Sequence, residues 1–238
     1  MIIKFYSMIL MFCSFIYIFG LREDDLKILG IVTSFDLSHF DSLQLIFEQY
    51  LSMCEAGWVV KTVILSSIKW SNLLTDFIKP RYYCFRKSAY LDIRIDTSNM
   101  TLMLASLHRR VVAEELENFD VFVYQEDDII FKYAHLIAYL EESKKLQNLY
   151  SDALRHNCIG FLRYRRVSAT NVDEKFVLAQ ERFEEQPHII PYCYYGQPYL
   201  SFTGNTHQAF WVLTQSQIKL LNETCNFLSH PPSQYLPR

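Results

Sequence analysis

Residues 27–65 read KILGIVTSFDLSHFDSLQLIFEQYLSMCEAGWVVKTVIL. The opening run, 27–34, is apolar and short, the pattern of a buried strand. From residue 38 onward Phe40, Leu43, Phe47, Tyr50, Leu51 and Cys54 recur at helical spacing. Gly57 then stands where the glycine beyond a helix C-terminus belongs. Residues 58–65 are a second apolar, β-branched run, and therefore a second strand. A strand, a helix and a strand joined by short turns place the two strands parallel, each needing cover on both faces.

The same alternation continues outward. Leu91, Ile93 and Ile95 alternate with Asp92, Arg94 and Asp96, which predicts a half-exposed strand. A helix is expected over 105–118, with Leu107, Val111, Val112 and Leu116 on its apolar side. It leads into the short apolar strand DVFVY at 120–124, which runs out into Gln125-Glu126-Asp127-Asp128-Ile129. Helices at 134–146 and 215–221 and strands at 158–164 and 210–213 complete the regular pieces. Residues 66–90 are aromatic and basic without a clear period, 171–187 are charged, and 191–199 are rich in Tyr and Pro. The expected fold is α/β: a Rossmann-like, mostly parallel sheet flanked by helices, followed by an irregular, acceptor-side half.

The chain has 238 residues, with Lys+Arg 23 against Asp+Glu 26, a formal net charge of −3. Hydrophobic residues at 50% and charged residues at 21% exclude a disordered body, and the charge balance argues against a nucleic-acid partner. Residues 1–20 are nearly all apolar, with Lys4 their one charge, and Arg22, Glu23, Asp24 and Asp25 follow. This predicts a transmembrane signal-anchor with the body in the lumen of the Golgi or ER, a membrane partner through this segment, and a body at 21–238. A cleaved signal peptide and a secreted body is the rival, with Ile18 bulky for a cleavage site. Of six cysteines, five lie in the body, so at least one is free or pairs between chains, and no C-x-x-C points to structural zinc. Sequons at Asn99 and Asn222 fit a secretory address.

The chemistry centres on Glu126, Asp127 and Asp128. Adjacent carboxylates just past a buried strand are costly unless they hold a cation, and hard oxygen ligands suit Mg²⁺ or Mn²⁺. Ligands of open α/β sheets sit outside the carboxyl ends of the strands, where these acids fall. A solvated turn capping the next helix is the alternative for the same residues.

The segment from Phe119 to Ile129 resembles the acidic DXD-type motif of GT-A glycosyltransferases, in the Glu-Asp-Asp form of Golgi N-acetylglucosaminyltransferases. The block from Thr203 to Trp211 resembles an acceptor-side segment of such enzymes. The resemblance covers 27 to about 225 in organisation and the acidic motif closely. It implies a metal-dependent hexosyl- or N-acetylhexosaminyltransferase with Mn²⁺ or Mg²⁺. A nucleotide sugar, first of all a UDP-sugar, would be the donor, and a glycan or glycoprotein hydroxyl the acceptor. Asp128 would bind the metal, Glu126 and Asp127 would face the sugar, ribose or metal-bound water, and His207 is a candidate third ligand.

For an inverting transfer a carboxylate is expected to take the acceptor's proton, and Asp173, Glu174, Glu181, Glu184 and Glu185 lie in the right half. Arg163, Arg165 and Arg166 read as a basic turn or a phosphate contact, and Arg109 and Arg110 as exposed. Tyr192, Tyr194, Tyr195 and Tyr199 read as packing residues or sugar-stacking rings. The tail from Ser229 to Arg238 has no closing element, so a C-terminally incomplete domain belongs to the expectation. The alternatives are another metal-dependent nucleotide-using transferase and a non-catalytic secretory-pathway binding protein on a degenerate fold.

Overall fold

A computed structural model of the protein describes residues 26–35, 37–86, 90–97, 104–149, 164–167, 175–178, 188–194, 197–203 and 210–229. Strand β1 (Lys27–Ser34) is buried at every position after Lys27, as expected of a strand covered on both faces. Helix α1 (Phe40–Glu55) follows and buries Leu43, Ile46, Phe47, Tyr50, Met53 and Cys54. Gly57 adopts φ 104° and closes the helix, its N–H donating to the Cys54 carbonyl at 2.9 Å. β2 (Val59–Ser66) then pairs parallel with β1, from Lys27 opposite Val59 to Ser34 opposite Ser66.

Helix α2 (Asn72–Arg81) is absent from the sequence reading. Its signal is a cap, not a period: Ser71 Oγ accepts from the Leu74 N–H at 3.2 Å. Pro80 stands in its last turn. β3 (Leu91–Thr97), α3 (His108–Glu115, after a single 3₁₀ turn at Leu104–Leu107) and β4 (Val121–Glu126) follow as expected, with shifted ends. After α4 (Tyr133–Leu149) come β5 (Tyr164–Val167), β6 (Lys175–Leu178), β7 (His188–Tyr194) and β8 (Gln197–Thr203). The half expected to be irregular thus contains two antiparallel ribbons, β5 with β6 and β7 with β8. β9 (Phe210–Thr214) and α5 (Gln215–Cys225) end the described chain. Thr214 and Gln217 form a capping box at the start of α5.

Among the described residues five strands form one sheet in the order β3-β2-β1-β4-β9. The first four are parallel and β9 runs antiparallel beside β4. The fold is therefore mixed α/β, loosely Rossmann-like, with helices on both faces. Side chains alternate between two cores. Ile28, Val32, Val60, Ile64, Val121 and Val123 pack with residues of α1 and α4, and Leu29, Ile31, Val63, Leu65 and Phe122 pack with residues of α3 and α5. Gly30 has no side chain because the Tyr50 ring occupies that space: a Cβ there would lie 2.7 Å from Tyr50 Cε1.

Cys54, at the end of α1, and Cys84, after α2, form a disulfide with their Cα atoms 6.3 Å apart. Cys225 is a free thiol on the surface.

Among the described residues the expectation of a transmembrane helix is corrected, and with it the membrane partner and the single-pass Golgi or ER topology. No helix among the described residues is long and apolar enough to cross a membrane. A span needs about 20 apolar residues. α4, with 17 residues, reaches only about 26 Å and carries Glu141, Glu142, Lys144 and Lys145. Residues 1–20 lie outside the described residues. The sequon at Asn222 falls inside α5, where Asn222 Oδ1 accepts from the Leu228 N–H at 3.0 Å and Thr224 Oγ1 donates to the Leu220 carbonyl at 2.8 Å. Those side chains close a helix end. The sequon at Asn99 lies outside the described residues.

Candidate functional site

The carboxyl ends of β1, β2 and β4 are tied into one edge. The Asp127 N–H donates to the Thr33 carbonyl at 3.0 Å, carrying the β1–β4 ladder one step past the end of β4. The Ile129 N–H donates to the Glu126 carbonyl at 3.1 Å, closing a turn over Glu126, Asp127 and Asp128. At the end of β2, Ser66 Oγ accepts from Trp70 Nε1 at 3.1 Å, and Ser67 Oγ donates to the Phe35 carbonyl in the loop after β1. β2 flanks β1 on one side and β4 on the other, so the strand order reverses between β1 and β4. Such a reversal opens the crevice where α/β sheets receive ligands. The acidic turn stands there.

The three acids have different environments. Asp127 is buried, and its Oδ1 lies 3.0 Å from Nδ1 of His39, the residue just before α1. Asp128 is exposed and Glu126 half-buried. Asp127, which the resemblance would face toward the sugar, ribose or metal-bound water, is turned toward His39 in the β1–α1 loop. Phe35, Leu37 and Ile68 are exposed apolar side chains in the loops after β1 and β2.

Beneath the turn, Tyr124 points to the opposite face of the sheet. Its ring packs on His108, with centroids 4.2 Å apart, and on Trp211 at 5.9 Å. Burial pushes its phenol up to about 12; the Glu126 carboxylate adds to this, and the hydrogen bond with Thr33 Oγ1 opposes it. Gln125, between Tyr124 and the acids, is fully buried, and neither end of its amide has a hydrogen-bond partner among the described residues. An unmet buried polar group costs about 1–3 kcal/mol.

The arginines expected to be exposed are engaged. Arg110 pairs with Asp96 at 3.0 Å and with Glu114 at 3.5 Å, and the Arg109 guanidinium lies 5.3 Å from the Phe227 ring centroid. His108 is buried. Arg165 and Arg166 are on β5, and Tyr192 and Tyr199 hold paired positions in the β7–β8 ribbon. His207, Arg163, Tyr195 and the carboxylates Asp173, Glu174, Glu181, Glu184 and Glu185 lie outside the described residues. Among the described residues no group of three His, Cys, Asp or Glu side chains stands close enough to hold a metal ion.

An open groove of about 490 Å³ is lined by Lys79, Pro80, Tyr83, Phe85, Leu91, Asp92 and Ile93. Through Val60 and Ile28, Leu91 is level with Val121, at the amino ends of the strands. The groove is therefore at the end of the sheet away from the acidic turn and is not its cleft.

His39 is the site residue that sequence reasoning missed. Its only signal is position: a histidine between the first strand and the first helix, where that sheet edge collects its loops. No family model matches this sequence, and no curated protein matches it.

Proposed function

We propose that this protein is a glycosyltransferase of GT-A-like fold that moves a sugar from a nucleotide donor, first of all a UDP-sugar, to a hydroxyl of a glycan or glycoprotein. The observation that carries this is the acidic turn at the carboxyl end of β4, at the reversal between β1 and β4. Phe35, Leu37 and Ile68 on the same edge offer apolar surface for a nucleoside base.

The proposal includes Mn²⁺ or Mg²⁺. Mg²⁺ is ordinarily held by one or two carboxylates with substrate phosphates and water, so one exposed carboxylate fits the need. Asp128 is that carboxylate, with Glu126 beside it. When bound, the ion offsets charge on the departing nucleoside diphosphate. Asp127 is not assigned to the ion, because its carboxylate faces His39. The test is Asp128→Ala against Asp128→Asn, assayed for release of UDP from a panel of UDP-sugars. Both variants should stay folded and lose release at least about 100-fold. A folded Asp128→Ala protein with wild-type turnover contradicts the assignment.

The second reading is a binding protein without catalysis that uses the same sheet edge and its exposed Phe35, Leu37 and Ile68. It predicts nucleotide binding without UDP release in the wild-type chain.

A further inference from the structure

We propose that His39 takes the proton of the attacking hydroxyl during sugar transfer, and that transfer therefore proceeds with inversion. This rests on the glycosyltransferase assignment above.

His39 ends the loop from β1 and precedes the first residue of α1, placing it beside the acidic turn of β4. A carboxylate only accepts hydrogen bonds, so with Nδ1 at 3.0 Å from Asp127 Oδ1 the proton of the neutral ring is on Nδ1. That fixes the tautomer and leaves the lone pair on Nε2.

The two partners are also unequally exposed. The His39 side chain is 52% exposed and that of Asp127 8%. The imidazole is the member a substrate can reach, and the carboxylate is the buried one that orients it. Asp127 is held in turn by its N–H to the Thr33 carbonyl and by the closed turn that follows. A base within reach of solvent and a third group fixing that base are the geometry of general-base catalysis. The carboxylates expected from sequence lie outside the described residues, and the structure brings an imidazole to the edge.

The step balances as a single displacement. The acceptor O–H gives its proton to Nε2, and its oxygen lone pair forms the new bond to the anomeric carbon. The bond from that carbon to the diphosphate oxygen breaks, and its electron pair leaves on the nucleoside diphosphate. The Asp127 carboxylate stabilises the imidazolium until its proton passes to solvent. Asp127 is a positioning residue in this scheme.

The experiment uses the full chain, UDP-sugars and water as the acceptor hydroxyl. Wild type and His39→Ala are compared for UDP binding with Mn²⁺ by calorimetry, for UDP release, and for rescue by added imidazole. The configuration of the freed sugar is read by NMR before mutarotation. UDP affinity should stay within about twofold, release should fall about 100-fold or more, imidazole should restore part of it, and the configuration should be inverted. Should His39→Ala misfold, Asp127→Asn provides the second variant: kcat falls while KM and UDP affinity hold. A folded His39→Ala protein that releases UDP at the wild-type rate, or a retained configuration, overturns the role of His39 and leaves the transferase assignment standing. A wild-type chain that binds no nucleoside diphosphate removes both.

Discussion

Removing the Cys54–Cys84 disulfide should cost about 3.6 kcal/mol, read from the loop it closes. The cysteines are 30 residues apart, and the enclosed chain contains β2 and α2. In the chain-entropy account the cross-link removes (2.1 + 1.5R ln 30) cal/mol/K from the unfolded chain, which at room temperature is about 3.6 kcal/mol. Among the described side chains of α2 only Ile78 is a fully buried apolar one, so this bond is a main tether of the helix to the end of α1. The assay is urea unfolding of the wild type against Cys54→Ala/Cys84→Ala, followed by far-UV circular dichroism. With a slope of about 2 kcal/mol/M the midpoint should fall by about 1.8 M, and the slope should rise as the unfolded chain expands. A loss below about 1 kcal/mol with an unchanged slope would refute the reasoning, because the loop would then not be closed in the folded protein.

Three further outcomes come from two buried tyrosines and their surroundings. Tyr50 has a buried hydroxyl with no hydrogen-bond partner among the described residues, so Tyr50→Phe should stabilise by about 1 kcal/mol; Gly30→Ala, which drives a methyl into the same ring, should destabilise by about 1–3 kcal/mol, both measured by urea unfolding. The Tyr124 phenol is pushed up to about 12 from its ordinary 10, so the folded state favours its protonated form. Its contribution is whole below pH 10 and is lost as pH rises through about 12. At about 1.4 kcal/mol per unit this is about 2–3 kcal/mol, and Tyr124→Phe should flatten the alkaline fall in stability; an equally steep fall in the variant contradicts the assigned pKa.

The first half of the fold was legible in sequence because parallel strands covered on both faces leave unbroken apolar runs. β1, α1, Gly57 and β2 are all visible in residues 27–65 for that reason. α2 was not, since its apolar residues show no clear period, a proline stands in its last turn and the Ser71 cap is its main mark. The β5–β6 ribbon escaped because four-residue strands carry few residues per face, and β7–β8 because Pro191 and Pro198 within it argue against strands. At the site, the acidic cluster stood out by composition, but the division of labour within it did not. Asp127 turns inward because its N–H is drawn onto Thr33 and its carboxylate meets His39, which is 88 residues away in the chain. No local pattern encodes such a pair.

The most direct test of the central claim is a calorimetric titration of the full chain with UDP, GDP and CDP, with and without Mn²⁺, in the wild type and in Asp128→Ala. A donor site at the acidic turn predicts preferential binding of one nucleotide that requires the metal and disappears in the variant. Binding of none of them to the folded wild type, or binding equally strong in Asp128→Ala, would contradict it.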